Sequence, residues 1–146
     1  MTQVLAGAVG GILALAGAFL VAWMNAKQAE KQRDRQLAAA FMAAADSCYT
    51  LAKHIHTRTT VRPTDVGLTQ LLELHERANN LGTELSFSCE SGLARRIRDV
   101  VDITHNIVFE AAVPGQAEEG WNETSQHFAN AFVDLEAELH TVFHGN

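Results

Sequence analysis

The sequence predicts an all-α protein in which a single N-terminal transmembrane helix continues into an antiparallel four-helix bundle. The run from Val4 to Met24 has no charged side chain. As a helix it would measure about 31 Å, close to the hydrocarbon thickness of about 30 Å of a bilayer. Beyond it, apolar residues recur at three- and four-residue spacing in four segments, and the two prolines, Pro63 and Pro114, fall between segments.

The apolar run is predicted to be a retained anchor and not a cleaved secretory signal. A signal has a basic region before an apolar stretch of roughly 7–15 residues. Here only Met1, Thr2 and Gln3 precede the run, and the first basic side chain is Lys27. We therefore expect residues 1–26 to form the transmembrane helix and residues 27–146 to form one helical-bundle domain.

Basic residues directly after the run predict its orientation. Basic side chains that flank a membrane helix stay in the cytoplasm, which places the N-terminus outside and the C-terminal domain in the cytoplasm. The same side chains are candidate contacts for anionic membrane lipid. This juxtamembrane basic cluster consists of Lys27, Lys31, Arg33 and Arg35.

The bundle helices are predicted at about 27–56, 64–87, 90–112 and 118–143. Each has an apolar face at helical spacing, and Ser86, Ser88 and Ser91 are candidate caps around the second turn. In an antiparallel order, Arg95, Arg96 and Arg98 face either lipid or Glu136 and Glu138; we favour the ion pairs. The predicted inner faces are Leu37, Phe41, Ala44, Cys48, Leu51 and Ile55; Leu68, Leu71, His75, Ala78, Gly82 and Leu85, widened by Leu72, Leu74 and Leu81; Leu93, Ile97, Val100, Thr104, Ile107 and Ala111; and Trp121, Phe128, Phe132, Leu135, Leu139 and Val142.

Small residues form a stripe along the predicted span. Gly7, Gly11, Ala14 and Ala18 lie on one side of a helix, where their small side chains let a second helix approach closely. This span association face predicts a homo-oligomer. The alternative is that the span only anchors the chain.

Cys48 and His75 are the candidate sensor pair. The antiparallel arrangement places them at about the same height, and a Cys/His pair can bind a metal or respond to oxidation. A structural zinc site needs four ligands, and the sequence offers no second pair at the usual spacing. We therefore favour the interpretation that His75 is a core residue whose ring makes its hydrogen bonds within the bundle. No metal or cofactor is predicted.

Composition and motifs argue against catalysis and nucleic-acid binding. The formal net charge is −6, with 17 carboxylates against 11 Lys and Arg, which is atypical of a nucleic-acid binder. No nucleophile elbow, phosphate-binding glycine loop or dinucleotide fingerprint occurs. We expect no enzyme and no nucleic-acid partner.

The order of parts is similar to that of small bacterial single-pass membrane proteins of unknown function. It carries a Gly/Ala-rich span, a basic segment KQAEKQRDRQ and an Ala-rich segment LAAAFMAAAD that opens a helical bundle. The resemblance covers roughly the first 50 residues and is one of composition. It implies neither an activity nor site residues.

These observations predict a membrane-anchored interaction or regulatory module whose span associates and whose bundle binds a protein partner. A sensor bundle that binds a small ligand or metal near His75 and Cys48 is the first alternative. A membrane-disrupting effector is the second.

Overall fold

A computed structural model describes the backbone of residues 2–57, 65–113 and 118–144, and the side chains of residues 18–57, 67–113 and 120–143. All regular structure in these residues is α-helical, which confirms the all-α class. The four helices are α1 (Thr2–Thr57), α2 (Asp65–Ser88), α3 (Ser91–Ala112) and α4 (Glu118–His144).

The chain divides into two compact units, Met1–Asp34 and Arg35–Asn146. The sequence placed a boundary after residue 26, whereas the observed division follows Asp34. Arg35–Asn146 is called the bundle below. Within the residues that have described side chains, no helix is both long and apolar enough to cross a membrane. The side chains of residues 4–17, which make up most of the predicted span, are outside the described part of the chain.

Contacts between side chains show that neighbouring helices of the bundle run antiparallel. Along α1 and α4, Tyr49 stacks on Phe128 at 4.7 Å between ring centroids, and His56 stacks on Trp121 at 4.2 Å. The later residue of α1, His56, therefore contacts the earlier residue of α4, Trp121, as antiparallel helices require. The ion pair Arg96–Glu138, with 2.5 Å between Nε and Oε2, joins α3 to α4 as the sequence predicts.

The bundle core is built from all four helices. Phe41, Cys48 and Ala52 of α1 are fully buried, since their apolar side chains leave water on packing. All six residues predicted for the inner face of α3 are buried, and Ala94, Ile103 and Val108 are buried as well. The hydroxyl of Thr104 donates to the Val100 carbonyl oxygen at 2.7 Å. The largest fully buried apolar side chains are Phe41, Leu71, Leu85, Ile97, Ile107 and Leu135.

Three helices meet at Gly82 of α2. A β-carbon built there would lie 2.6 Å from Cγ2 of Val101 in α3 and 2.9 Å from Cε2 of Phe41 in α1. Real β-carbons essentially never approach other atoms that closely. Glycine is therefore needed to let the Phe41 ring reach the backbone of α2.

Some predicted details of the helices are wrong. Leu72 is 59% exposed and belongs to the outer side of α2, and Val142 is exposed while its neighbour Phe143 is buried. Glu90, not a serine, occupies the N-cap of α3 and makes no side-chain capping bond. Ser86 and Ser88 instead donate to carbonyl oxygens of their own helix, because a hydroxyl readily bonds back to the preceding turn.

Candidate functional site

The end of the predicted span is apolar and uncovered. Phe19 is 75% exposed, and Leu20, Val21, Trp23 and Met24 are each about half exposed or more. Successive residues of a helix point about 100° apart, so these five side chains cover about 200° around α1, and the exposed Ala18 and Ala22 occupy the remaining side. A helix that is apolar all round is typical of a nonpolar surrounding or of close helix partners.

A basic cluster begins directly after this apolar segment. Nζ of Lys27 lies 5.0 Å from the centre of the Trp23 ring, which is a cation–π contact. Lys27, Lys31, Arg33 and Arg35 are all exposed. Arg35 has a second role inside the bundle, because its guanidinium donates to the carbonyl oxygen of Phe143 near the C-terminal end of α4. The last carbonyls of a helix have no partner within the helix, and a basic side chain satisfies one of them.

The predicted association face is described only at its last member. The side chains of Gly7, Gly11 and Ala14 lie outside the described residues, and Ala18 is exposed.

His75 pairs with His105 across α2 and α3. Nε2 of His75 lies 3.1 Å from Nδ1 of His105, and the rings meet edge to face at 81°. Burial lowers the pKa of His75, and the neighbouring His105 lowers it further, while the Glu76 carboxylate acts in the opposite direction. The pair lies beside an open cavity of about 500 Å³ that is also lined by Glu76, Asn79 and Phe109.

Cys48, the other member of the predicted sensor pair, belongs to the core. It is fully buried among apolar side chains, and this burial raises the pKa of its thiol to about 12. A thiol that stays protonated is a poor metal ligand and a poor nucleophile. Cys89 is partly buried, and within the described residues neither cysteine forms a disulfide. The described contact of His75 is thus with His105, a residue the sequence did not offer as a partner.

An apolar groove runs between α1 and α4 near the start of the bundle. Its volume is about 310 Å³, and its walls include Ala38, Met42, Phe132 and Leu139. Arg35, Glu136 and His140 line the same groove.

Polar groups also lie between α3 and α4. Thr124 donates to Oε1 of Glu110 at 2.8 Å, while Oε2 of Glu110 and the Ser125 hydroxyl are buried without a hydrogen-bond partner among the described residues. Farther along these helices, a cavity of about 590 Å³ is lined by the carboxylates of Asp99, Asp102 and Asp134, together with Arg96 and His127.

Sequence reasoning missed the partner of His75 and the partly buried position of Glu110. The first had a readable signal, because His75 and His105 lie equally far before and after Glu90, at the turn between α2 and α3. An antiparallel pair of helices brings such positions side by side. No comparable signal marks Glu110, whose burial depends on how α4 packs. In the part of the chain that the structure describes, no three His, Cys, Asp or Glu side chains converge on a metal position.

Comparison of the chain with protein-family models, with curated proteins and with solved structures yields no match.

Proposed function

We propose that the protein is a membrane-anchored, non-enzymatic interaction module, in which the N-terminal helix is held in lipid and the bundle is presented to a protein partner. The observation that carries the proposal is the apolar segment Phe19–Met24, which is exposed on every side of α1. Lipid is the surrounding that best removes such a surface from water.

The energetic argument rests on the size of these side chains. Burying a Phe, Leu, Val or Met side chain contributes about 1.5–3 kcal/mol relative to leaving it in water. Four such residues occur among Phe19–Met24, beside Trp23, and the sequence continues the same apolar character back to Val4. For these four side chains the sum is about 6–12 kcal/mol, comparable to the stability of a typical small domain, about 5–15 kcal/mol, so a nonpolar environment is strongly favoured for the segment.

The contact between Lys27 and Trp23 supports a membrane boundary at this point. Tryptophan is enriched at the membrane–water interface, and lysine extends from the helix into the headgroup region. With Lys31, Arg33 and Arg35 following, the proposal places the bundle in the cytoplasm and the N-terminus outside. The basic cluster then lies next to anionic lipid.

The bundle side of the proposal rests on the outer surface of α2 and α3. Leu72 and Phe109 are both more than half exposed and line the same cavity. Exposed large apolar side chains that adjoin a cavity are typical of protein-binding surfaces.

Membrane fractionation tests the anchor. The full chain is expected in the membrane pellet after an alkaline wash, and a reporter fused after Asn146 is expected to be active inside the cell. Replacing both Ile12 and Leu13 by Arg places two charges near mid-span, each costing about 2.5–3.5 kcal/mol, and should release the protein into the aqueous fraction. The matched control exchanges the two residues, Ile12→Leu with Leu13→Ile, and should stay in the pellet. Release of the unmodified protein by the wash would contradict the anchor.

Crosslinking in membranes tests the association face separately. Gly11→Ile and Ala18→Ile place bulk on that face and should reduce crosslinked dimer, whereas Ala16→Ile, on the opposite side of the helix, should not. Equal crosslinking of all three variants would leave the anchor intact and reject the face.

A further inference from the structure

We propose that His75 and His105 form a binding site for one divalent transition-metal ion, with Nε2 of His75 and Nδ1 of His105 as its two protein ligands. The site lies within the bundle and does not depend on the proposed membrane anchor.

The separation of the two nitrogens fits one shared ion. They are 3.1 Å apart. With metal–nitrogen distances of about 2.0–2.1 Å, that separation corresponds to an angle of about 98° at the metal. This angle lies between the ideal octahedral and tetrahedral values, about 90° and 109°. The backbones of α2 and α3 therefore already hold the two ligands at a coordinating distance.

A tautomer change and ring rotations complete the geometry. In the hydrogen-bonded pair one of the two nitrogens carries a proton, which has to move to the other nitrogen of its own ring before both can bind a metal. Each lone pair then points about 40° away from the line that joins the two nitrogens to reach a common ion. His75 is only partly buried, His105 is exposed, and the adjoining cavity of about 500 Å³ gives both rings room to turn. Glu76 and Asn79 line the same cavity.

The donor set selects the class of metal. Imidazole nitrogens favour Cu²⁺, Ni²⁺ and Zn²⁺ over Mg²⁺ and Ca²⁺, which prefer oxygen ligands. Metal binding also requires neutral imidazole. With two protein ligands and water in the remaining positions, the bound ion would exchange with ions in solution. A structural zinc, enclosed by four protein ligands, does not.

Electron paramagnetic resonance of bound Cu²⁺ tests the site in the full chain, purified in detergent. The spectrum of the unmodified protein at one equivalent of Cu²⁺ should show two imidazole nitrogens on the ion. His75→Gln and His105→Gln should each remove one of them and weaken Cu²⁺ binding roughly tenfold or more. His54→Gln is the matched control, because His54 is exposed on α1 outside this pair, and should change neither.

A second readout covers the case in which a substitution disturbs folding. Zn²⁺ alone should raise the thermal unfolding temperature of the unmodified protein, since an ion bound only to the folded state stabilises that state. Mg²⁺ should not. Fewer than two imidazoles on copper in the unmodified protein, unchanged copper spectra in both pair variants, or no thermal shift with Zn²⁺ would each overturn the proposal.

Discussion

Two stretches of α1 are similar in composition and differ in burial: the first is the apolar segment Phe19–Met24, and the second is the part of α1 around Phe41 in the bundle. Phe19 in the apolar segment is 75% exposed, whereas Phe41 in the bundle is fully buried. Both stretches mix aromatic and aliphatic residues with alanine. The difference is that α2, α3 and α4 cover one side of the second stretch, while the first is apolar on every side. An apolar helix thus acquires its role from what covers it: neighbouring helices in the bundle, and lipid in our proposal for the N-terminal unit.

Truncating one phenylalanine in each stretch should give the largest contrast. Phe41→Ala leaves a cavity among buried side chains and should lower the free energy of unfolding of the bundle by about 3–5 kcal/mol. Phe19→Ala is the matched change and should alter it by no more than about 0.5 kcal/mol, because no bundle contact is lost. Urea unfolding of the full chain in detergent measures both. Similar losses in the two variants would break the contrast.

Adding a methyl group tests how closely the helices of the bundle approach. Gly82→Ala should destabilise the bundle by about 1–2 kcal/mol, since strain against Val101 and Phe41 exceeds the gain in helix propensity of about 1 kcal/mol. The control is Gly92→Ala in α3, where a β-carbon would meet nothing within 4 Å. That variant should be neutral or up to about 1 kcal/mol more stable by the same measurement. A stabilising Gly82→Ala would mean that the core is looser than described.

Two members of the basic cluster should also behave differently. Arg35→Gln removes the hydrogen bond to the Phe143 carbonyl oxygen and should cost the bundle about 1 kcal/mol. Lys31→Gln, an exposed change in the N-terminal unit, should stay within about 0.5 kcal/mol. Equal effects in urea unfolding would remove the structural role of Arg35.

The smallest expected effect is a pH dependence within the bundle. The pKa of His75 is lowered from its ordinary value of 6.5, so the folded state binds fewer protons than the unfolded state near that pH. The stabilising contribution is therefore present above about pH 6.5 and is lost as the pH falls through the folded-state value. Because burial and His105 lower the pKa of His75 and Glu76 offsets them only in part, we expect His75→Gln to flatten the dependence and His54→Gln to leave it unchanged. Unfolding curves recorded between about pH 5 and pH 8 would show a steeper slope in His75→Gln if the sign were wrong.

The sequence predicted the helical class because long segments with a helical period need little else to be recognised. All six residues that it placed on the inner face of α3 are buried, since charged residues such as Arg96 and Asp99 mark the outer side. Ala94, Ile103 and Val108 are buried too. The face of α1 was harder to place, because alanines surround it on several sides. Ala38, Ala45 and Ala52 are buried there, although the predicted stripe omits them.

The candidate site depended on pairing between helices, which periodicity does not report. Height along the bundle suggested Cys48 as the partner of His75. The rotation of each helix decides the contact instead, with Cys48 turned into the core and His75 paired with His105. Helix rotation also explains Glu110 and Leu72. It leaves the charged Glu110 partly buried and the apolar Leu72 exposed.

The position where Phe41 and Val101 crowd the backbone of Gly82 has a consequence for how the sequence can change. A side chain at position 82 would crowd both Phe41 and Val101 and is accommodated without strain only if both become smaller, so these three sites, distant in the chain, are not free to drift one at a time. Among naturally diverged copies of this gene, substitutions at the three should arise as compensating sets.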